Sequence, residues 1–400
     1  MKILSVNNTA DIYGASRCME RVFSRFAEYG HEVHVVLPAH GPLVNLLQAR
    51  GIHVHIHREL PIIDRSRIRS LSSCLEFLFC FPISVARLSI LALRLRVDVI
   101  HTNVVVLPSP AVAAFITARP HVWHIRELLG EFGRMWKPYQ RYISFFSKAV
   151  VAVSICTRDQ FDHDLRKKVH VIYDGLDETV VNIDPIRRDA FHKSLPVDKL
   201  LVGVVGRIKW HRKGQEVLVR AVDLLRERHP QVHYVIVGST APGNEEHETM
   251  LRGLITSLAL DNQVTLLGDT QDPFSVFAAL DIAVVPSVQP EPFGCVVIEA
   301  MAAGTPVIGS NCGGIAEQIV DGVSGFLFSP GDAEALASAL ERLLNDPLLR
   351  ERISEEGLRR VRTAFPLDRT YHNMAELFSR LASSGRNLRL RETHRRTDLP

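Results

Sequence analysis

The absences in this sequence narrow its class before any motif is read. Six cysteines, at positions 18, 74, 80, 156, 295 and 312, form no CxxC pair and no zinc-finger spacing. Neither a disulfide framework nor a structural zinc site of that kind is expected. Long hydrophobic runs are missing too. The most apolar stretch, 74–95, is interrupted by Glu76, Pro82, Arg87 and Arg94. Its longest uncharged run, 77–86, is ten residues, about half of the roughly 20 that span a bilayer, so it is not expected to cross one. After Met1-Lys2 comes a strand-length apolar run and then Asn7-Asn8, which is not the plan of a secretory leader. A cytoplasmic chain with reduced thiols is the expectation. No G-x-G-x-x-G follows the first apolar run, which counts against a nicotinamide-dependent dehydrogenase.

No charge sign dominates, since 47 Lys and Arg face 44 Asp and Glu. Their distribution is uneven, however. Residues 1–180 carry 22 basic against 16 acidic side chains, 181–385 carry 20 against 26, and 386–400 carry 5 against 2. A basic front with an acidic back argues against a nucleic-acid wrapper. It fits a basic face meeting phosphate or a membrane, or else a surface bias without meaning. With 46% hydrophobic and 23% charged residues over 400 positions, the chain is a folded protein of two or three domains.

What is present is a repeated alternation. Val- and Ile-rich runs at 2–6, 32–37, 52–56, 97–102, 121–125, 149–154 and 169–174 are separated by segments of helical period, such as 16–29 closed by Gly30. Strand, helix, strand at this spacing predicts βαβ units and a parallel sheet covered on both faces. The pattern restarts with runs at 200–206, 232–238, 264–268, 281–287, 306–310 and 325–329. The fold class is therefore α/β, with two tandem Rossmann-like, doubly wound domains facing a cleft. The expected division is 1–180, a linker over 181–198, a second domain over 199–365, an amphipathic helix over 366–385 and a disordered basic tail over 386–400.

Two strings carry chemistry. The first is Glu291-Pro-Phe-Gly-Cys-Val-Val-Ile-Glu299, with Gly304 placed to end a short helix. Pro292 and Gly294 shape a loop whose backbone N–H groups can face an anion or hydroxyls. Glu291 on the approach and Glu299 more than one turn into the helix suit a polyhydroxylated ligand, each accepting hydrogen bonds. The second string is Gly206-Arg207-Ile208-Lys209-Trp210-His211-Arg212-Lys213-Gly214, four cations at a strand-to-helix turn. Arg207 can grip two phosphate oxygens and Lys213 supplies a compact charge, which makes a diphosphate pocket.

In family order with Gly313-Gly314, these strings resemble the family-4 retaining glycosyltransferases of the GT-B fold, of the kind that build bacterial cell-surface polysaccharide. The resemblance is strongest over 200–330 and looser over 1–180. It implies a nucleoside-diphosphate sugar donor held by the second domain and an acceptor on the first. By position, Arg207 and Lys213 would hold the diphosphate, Glu291 the donor-sugar hydroxyls and Glu299 the ribose. Backbone at Gly206, Phe293, Gly294 and Cys295 would line the donor. The helix 366–385 resembles one that crosses back onto the first domain. His124 matches a histidine placed near the reacting sugar, which gives a catalytic set of His124, Arg207, Lys213 and Glu291. Gly14 would approach the donor phosphate, although Tyr13 stands where the family usually has a second glycine. His101, Asn103, Arg126 and Glu127 are weaker candidates on the acceptor side, and the last two could equally pair with each other.

No Asp-x-Asp stands where a metal-dependent transferase would carry one, so no metal and no cofactor are expected. His53, His55 and His57 share one strand face opposite Ile52, Val54 and Ile56, and read as the ordinary polar side of that strand. The basic, apolar segment 65–96, with Arg65, Arg67 and Arg69 at its start, either buries as a core helix or lies on the inner face of an anionic membrane beside a lipid-linked acceptor. Two other classes stay open: a GT-B epimerase or phosphorylase, for which no cofactor-bearing lysine is recognisable, and a non-catalytic nucleotide-sugar binder.

Overall fold

A computed structural model describes residues 1–63, 71–177, 181, 183–196 and 198–397. The chain divides into two compact units: Met1–Gly175 with Leu367–Pro400, and Leu176–Pro366.

The first unit holds a seven-stranded sheet. Its strands are β1 (Lys2–Val6), β2 (Glu32–Leu37), β3 (His53–Ile56), β4 (Val99–Thr102), β5 (His121–Ile125), β6 (Ala149–Ala152) and β7 (Val169–Val171). Their order is β3-β2-β1-β4-β5-β6-β7, parallel throughout. The order reverses between β1 and β4, and crevices in such sheets open at the carboxyl ends flanking that point. One face packs Ile3, Val33 and Val35 against Met19, Phe23 and Phe26 of helix Gly14–Glu28, and against Tyr371, Met374 and Phe378 of helix Leu367–Thr397. The other face packs Leu4, Val6 and Val36 against Leu88 and Ala92 of helix Leu71–Leu95. By length and composition alone that helix could cross a membrane, yet Leu88 and Ala92 are buried in this core.

In the second unit, β8 (Leu200–Val205), β9 (Val232–Val237), β10 (Val264–Leu267), β11 (Ile282–Val285), β12 (Val307–Ser310) and β13 (Phe326–Phe328) form a parallel sheet. Its order is β10-β9-β8-β11-β12-β13, with the reversal between β8 and β11. Val202, Val204, Ile236 and Ile282 pack there with Val217, Leu218, Leu336 and Leu340 from the covering helices.

Two boundaries differ from the sequence reading. The span 181–198 is not a bare linker: helix Pro185–Lys193 packs on helix Pro273–Ala279 within the second unit. Asp184 caps it by accepting from the Ile186 and Arg187 amides. The tail expected to be disordered continues the last helix to Thr397. Arg65, Arg67 and Arg69 lie outside the described residues.

Candidate active site

The second unit builds its site at its own switch point. β8 runs on into Gly206, at φ 145°, and the Gly206 amide donates to the Val237 carbonyl at 2.8 Å. The chain then runs through the basic loop and turns into helix Gln215–Leu225 at Gly214. Gly214 has φ 72°, and a Cβ there would lie 1.8 Å from the Pro286 carbonyl oxygen. Only glycine lets the basic loop press against the chain leaving β11. The Gln215 side-chain amide donates to the Arg207 carbonyl at 3.0 Å, which pins the start of the loop.

That packing sets Lys213 beside the opposite lip. Lys213 Nζ lies 2.9 Å from Glu291 Oε1, and Ser287 Oγ donates to the same oxygen at 3.0 Å. Glu291 is buried while Lys213 is about one-third exposed, so the ammonium faces outward from a seated carboxylate. The loop bearing Glu291 is held from behind by Gly313-Gly314. A Cβ on Gly313 would lie 2.4 Å from the Glu291 carbonyl oxygen, and the Gly314 amide donates to that oxygen at 2.8 Å. Gln318 donates its side-chain amide to the Phe293 carbonyl. Gly294, at φ 85°, bends the chain into helix Val296–Ala302. Glu299 is buried in that helix's first turn, nearer the start than the sequence suggested, where the helix dipole favours a carboxylate. A pocket within this unit is lined by Gly206, Arg207, Lys213, Gln215, Ser287 and Val296.

In the first unit, polar side chains gather at the carboxyl ends of β1, β4 and β5. Asn103 donates to Asn7 Oδ1 at 3.0 Å and accepts from Arg126 Nε at 2.9 Å. Arg126 is paired with Asp174, both side chains almost fully buried. Asn7 in turn donates to Ser16 Oγ at 3.2 Å, in the helix that Gly14 opens. Above Gly14 a Cβ would meet nothing within 4 Å. His101 shares a hydrogen bond with Ser5 Oγ at 2.9 Å, and its Nε2 lies 3.3 Å from His124 Nδ1. His124 Nε2 is buried without a protein partner. Burial, and then the nearby Arg126 charge, hold both imidazoles neutral well below the usual histidine range. Burial pushes Glu127 up to about 7 against the pull of its hydrogen bonds from the Arg126 and Val105 amides. Arg126 and Glu127 do not form the side-chain pair that the sequence allowed: Arg126 turns to Asp174 and Asn103, while Glu127 accepts from backbone.

Residues 12–180 match the family model "Glycosyltransferase Family 4", and residues 186–360 match "Glycosyl transferases group 1". The chain belongs to the family-4 glycosyltransferases. This glycosyltransferase is similar to the lipopolysaccharide core mannosyltransferase LpcC of Rhizobium leguminosarum bv. viciae, 28% identical over 287 residues, 67% of this chain and 81% of that one. It is 27% identical over 281 residues to the capsular polysaccharide glycosyltransferase CapM of Staphylococcus aureus, 67% of this chain and 72% of that one. Its structure resembles Anabaena HepE solved with UDP, with a TM-score of 0.80, 27% identity, and coverage of 95% of this chain and 100% of that one. Sucrose-phosphate synthase from Thermosynechococcus elongatus shares the fold at a TM-score of 0.77 and 22% identity, covering 96% of this chain and 99% of that one. The two parallel sheets are those of the GT-B fold.

Some residues that shape these sites in the glycosyltransferase carried only faint sequence signals. Asn7 follows one predicted strand and Asp174 ends another, both at the carboxyl end where polar residues deserve a role. Ser287 and Gln318 gave no signal, because their partners lie 4 and 25 positions away in irregular loops.

Proposed function

We propose that this glycosyltransferase moves a sugar from a nucleoside diphosphate to a hydroxyl of a glycan or lipid-linked acceptor, with retention of anomeric configuration and without a metal. The observation that carries this reading is the Lys213–Glu291 pair, which joins the two sides of the second sheet's switch point. A cation beside a seated carboxylate matches the two halves of such a donor, phosphate on one side and sugar hydroxyls on the other.

Departure of the diphosphate builds negative charge, which Arg207 and Lys213 neutralise, aided by the amides of 293–295. Glu291, no longer serving Lys213 alone, accepts from sugar hydroxyls, and Glu299 takes the ribose. The base then meets the loop 268–273, largely through backbone. The transition state is oxocarbenium-like, and same-face attack guided by the leaving phosphate gives retention. In the first unit, His124 is the candidate for a part in the transfer: its buried Nε2 has no protein partner, and nearby Asn103 accepts from Arg126. UDP-bound HepE favours UDP as the first nucleotide to test. The names of LpcC and CapM point to lipopolysaccharide or polysaccharide assembly, and the reading sets that work at the cytoplasmic face of a membrane. Leu75, Leu78 and Phe79, exposed on helix Leu71–Leu95, offer that contact.

The test is thermal unfolding against UDP, GDP, ADP, dTDP and CDP, without metal and then with magnesium. A nucleotide at a hundred times its dissociation constant stabilises by about 2.7 kcal/mol, a shift of a few degrees. One responder is expected without metal, and Lys213→Ala abolishes the shift. Silence from all five nucleotides overturns the donor assignment, and an inverted product anomer overturns the stereochemistry.

A further inference from the structure

Three imidazoles and a carboxylate converge on the edge of the first sheet, and none of them belongs to the transfer site. β3 is the edge strand, and its parallel register sets His53 opposite His34, and His55 opposite Val36, on β2. Residues opposite each other in register, and residues two apart, share a sheet face. Glu32 and His34 of β2 therefore lie on the same face as His53 and His55 of β3. From the sequence, the alternating histidines of 53–57 are the polar side of one strand. The sheet order adds His34, which is buried rather than solvated.

Two of the three rings meet through their nitrogens, and the third is stacked beside them. The His34 and His53 rings stack with centroids 4.8 Å apart, and the His34 and His55 rings lie 5.3 Å apart. His34 Nε2 is 3.0 Å from Glu32 Oε1, and Lys2 Nζ donates to the same carboxylate oxygen at 3.1 Å. A carboxylate there accepts the Nε2 proton and leaves His34 Nδ1 with its lone pair free. That Nδ1 lies 3.1 Å from His55 Nε2. Two imidazole nitrogens on one tetrahedral metal, each at about 2.0–2.1 Å, are separated by about 3.3 Å. The gap is close to what a metal needs, and a tautomer shift that moves the His55 proton to its Nδ1 frees the second lone pair. His53 is exposed, so its ring can swing to supply the third nitrogen and open an entry path. Ligating histidines characteristically give their second ring N–H to a carboxylate, which is the part Glu32 plays for His34.

We propose that His34, His53 and His55, with Glu32 behind His34, form a site for a divalent transition metal of the zinc class that clips β3 to β2. An all-imidazole set selects zinc, copper or nickel over magnesium and calcium. Burial lowers His34, and lowers His55 to about 4, so protons compete little for these nitrogens at neutral pH. With three protein ligands the fourth position belongs to water. The clip fastens a sheet edge that otherwise presents unpaired backbone groups.

The test uses the full chain, stripped with a chelator and titrated with zinc by calorimetry and with cobalt by visible absorption. Wild type is expected to bind one ion with the strong absorption of tetrahedral cobalt, and its unfolding temperature to rise with zinc. His53→Ala and His55→Gln are each expected to weaken binding at least tenfold. Glu32→Gln is expected to weaken it by about 10–100-fold. A cooperative thermal transition and an unchanged nucleotide response certify that each variant is folded. If zinc raises no transition temperature, or if it binds His55→Gln as tightly as wild type, the proposal is overturned.

Discussion

Gly214 and Gly14 both sit at helix starts, yet the backbone treats them differently. At Gly214 a Cβ would overlap the Pro286 carbonyl, and φ is positive. Gly214→Ala is expected to cost about 3 kcal/mol or more in urea unfolding, because neither the contact nor the dihedral can relax cheaply. At Gly14 the space is open, and Gly14→Ala is expected to leave stability within about 1 kcal/mol of wild type. A similar cost at both positions would remove the close approach as the reason for glycine at 214. Asp174 is the other position with a sharp expectation. Its carboxylate is a buried counter-charge of Arg126, and Asp174→Asn removes that charge from beside the guanidinium. A loss of about 3–5 kcal/mol is expected, measured by the same unfolding; a loss below about 1 kcal/mol would mean that the neighbours Arg126 keeps, Asn103 among them, satisfy it.

Among the elements, the last helix makes the strongest claim. Leu367, Tyr371, Met374, Leu377, Phe378 and Ala382 recur at helical spacing and are all buried against the first sheet. Phe378 is fully buried, with its ring 5.6 Å from that of Phe26. Phe378→Ala is expected to cost about 3–5 kcal/mol, read as a lowered urea midpoint with the slope unchanged. This helix also shows what the sequence could carry. Its apolar stripe is legible through Leu381 from periodicity alone, as are the thirteen described strands, most of them because parallel strands buried on both faces read as Val- and Ile-rich runs and β3 through its alternation. The helix Pro185–Lys193 was missed although Asp184 before Pro185 is a helix-start signature; two prolines made the segment read as a linker. The Lys213–Glu291 pair joins two strings that lie far apart in the sequence, and only the order of β8 and β11 makes them neighbours. Arg126 with Asp174 had no local signal, since 48 residues part them and only the order β5-β6-β7 brings them close. The same holds for His34 with His53 and His55, where register decides the neighbours.

At the scale of the whole molecule, titration of buried groups sets an acid limit. Burial lowers His121 to about 3 and His55 to about 4, and holds His101 and His124 well below the usual value of 6.5. Below pH 6.5 the unfolded chain takes up protons on these rings that the folded chain refuses. Their contribution is therefore complete above 6.5 and falls away as pH drops toward 4. Glu127, raised to about 7, works in the opposite sense. The folded chain keeps its proton where the unfolded chain has released it, so this group favours folding increasingly as pH falls from 7 to about 4.5. With several histidines against one carboxyl, unfolding free energy is expected to decline between pH 6.5 and 4, and His121→Gln should make that decline shallower. A flat profile would show that these rings protonate without penalty.

The first unit is discontinuous in sequence: it starts at Met1 and is completed only by Leu367–Thr397. During synthesis its sheet emerges early, but the surface around Phe23 and Phe26 waits for nearly two hundred further residues before Tyr371 and Phe378 arrive to cover it. The later-made unit, continuous from Leu176 to Pro366, has all its strands while the earlier one still lacks a wall. Birth order and completion order are thus inverted, and a chain released after Pro366 would carry a finished second unit and a first one with an apolar face open to chaperones.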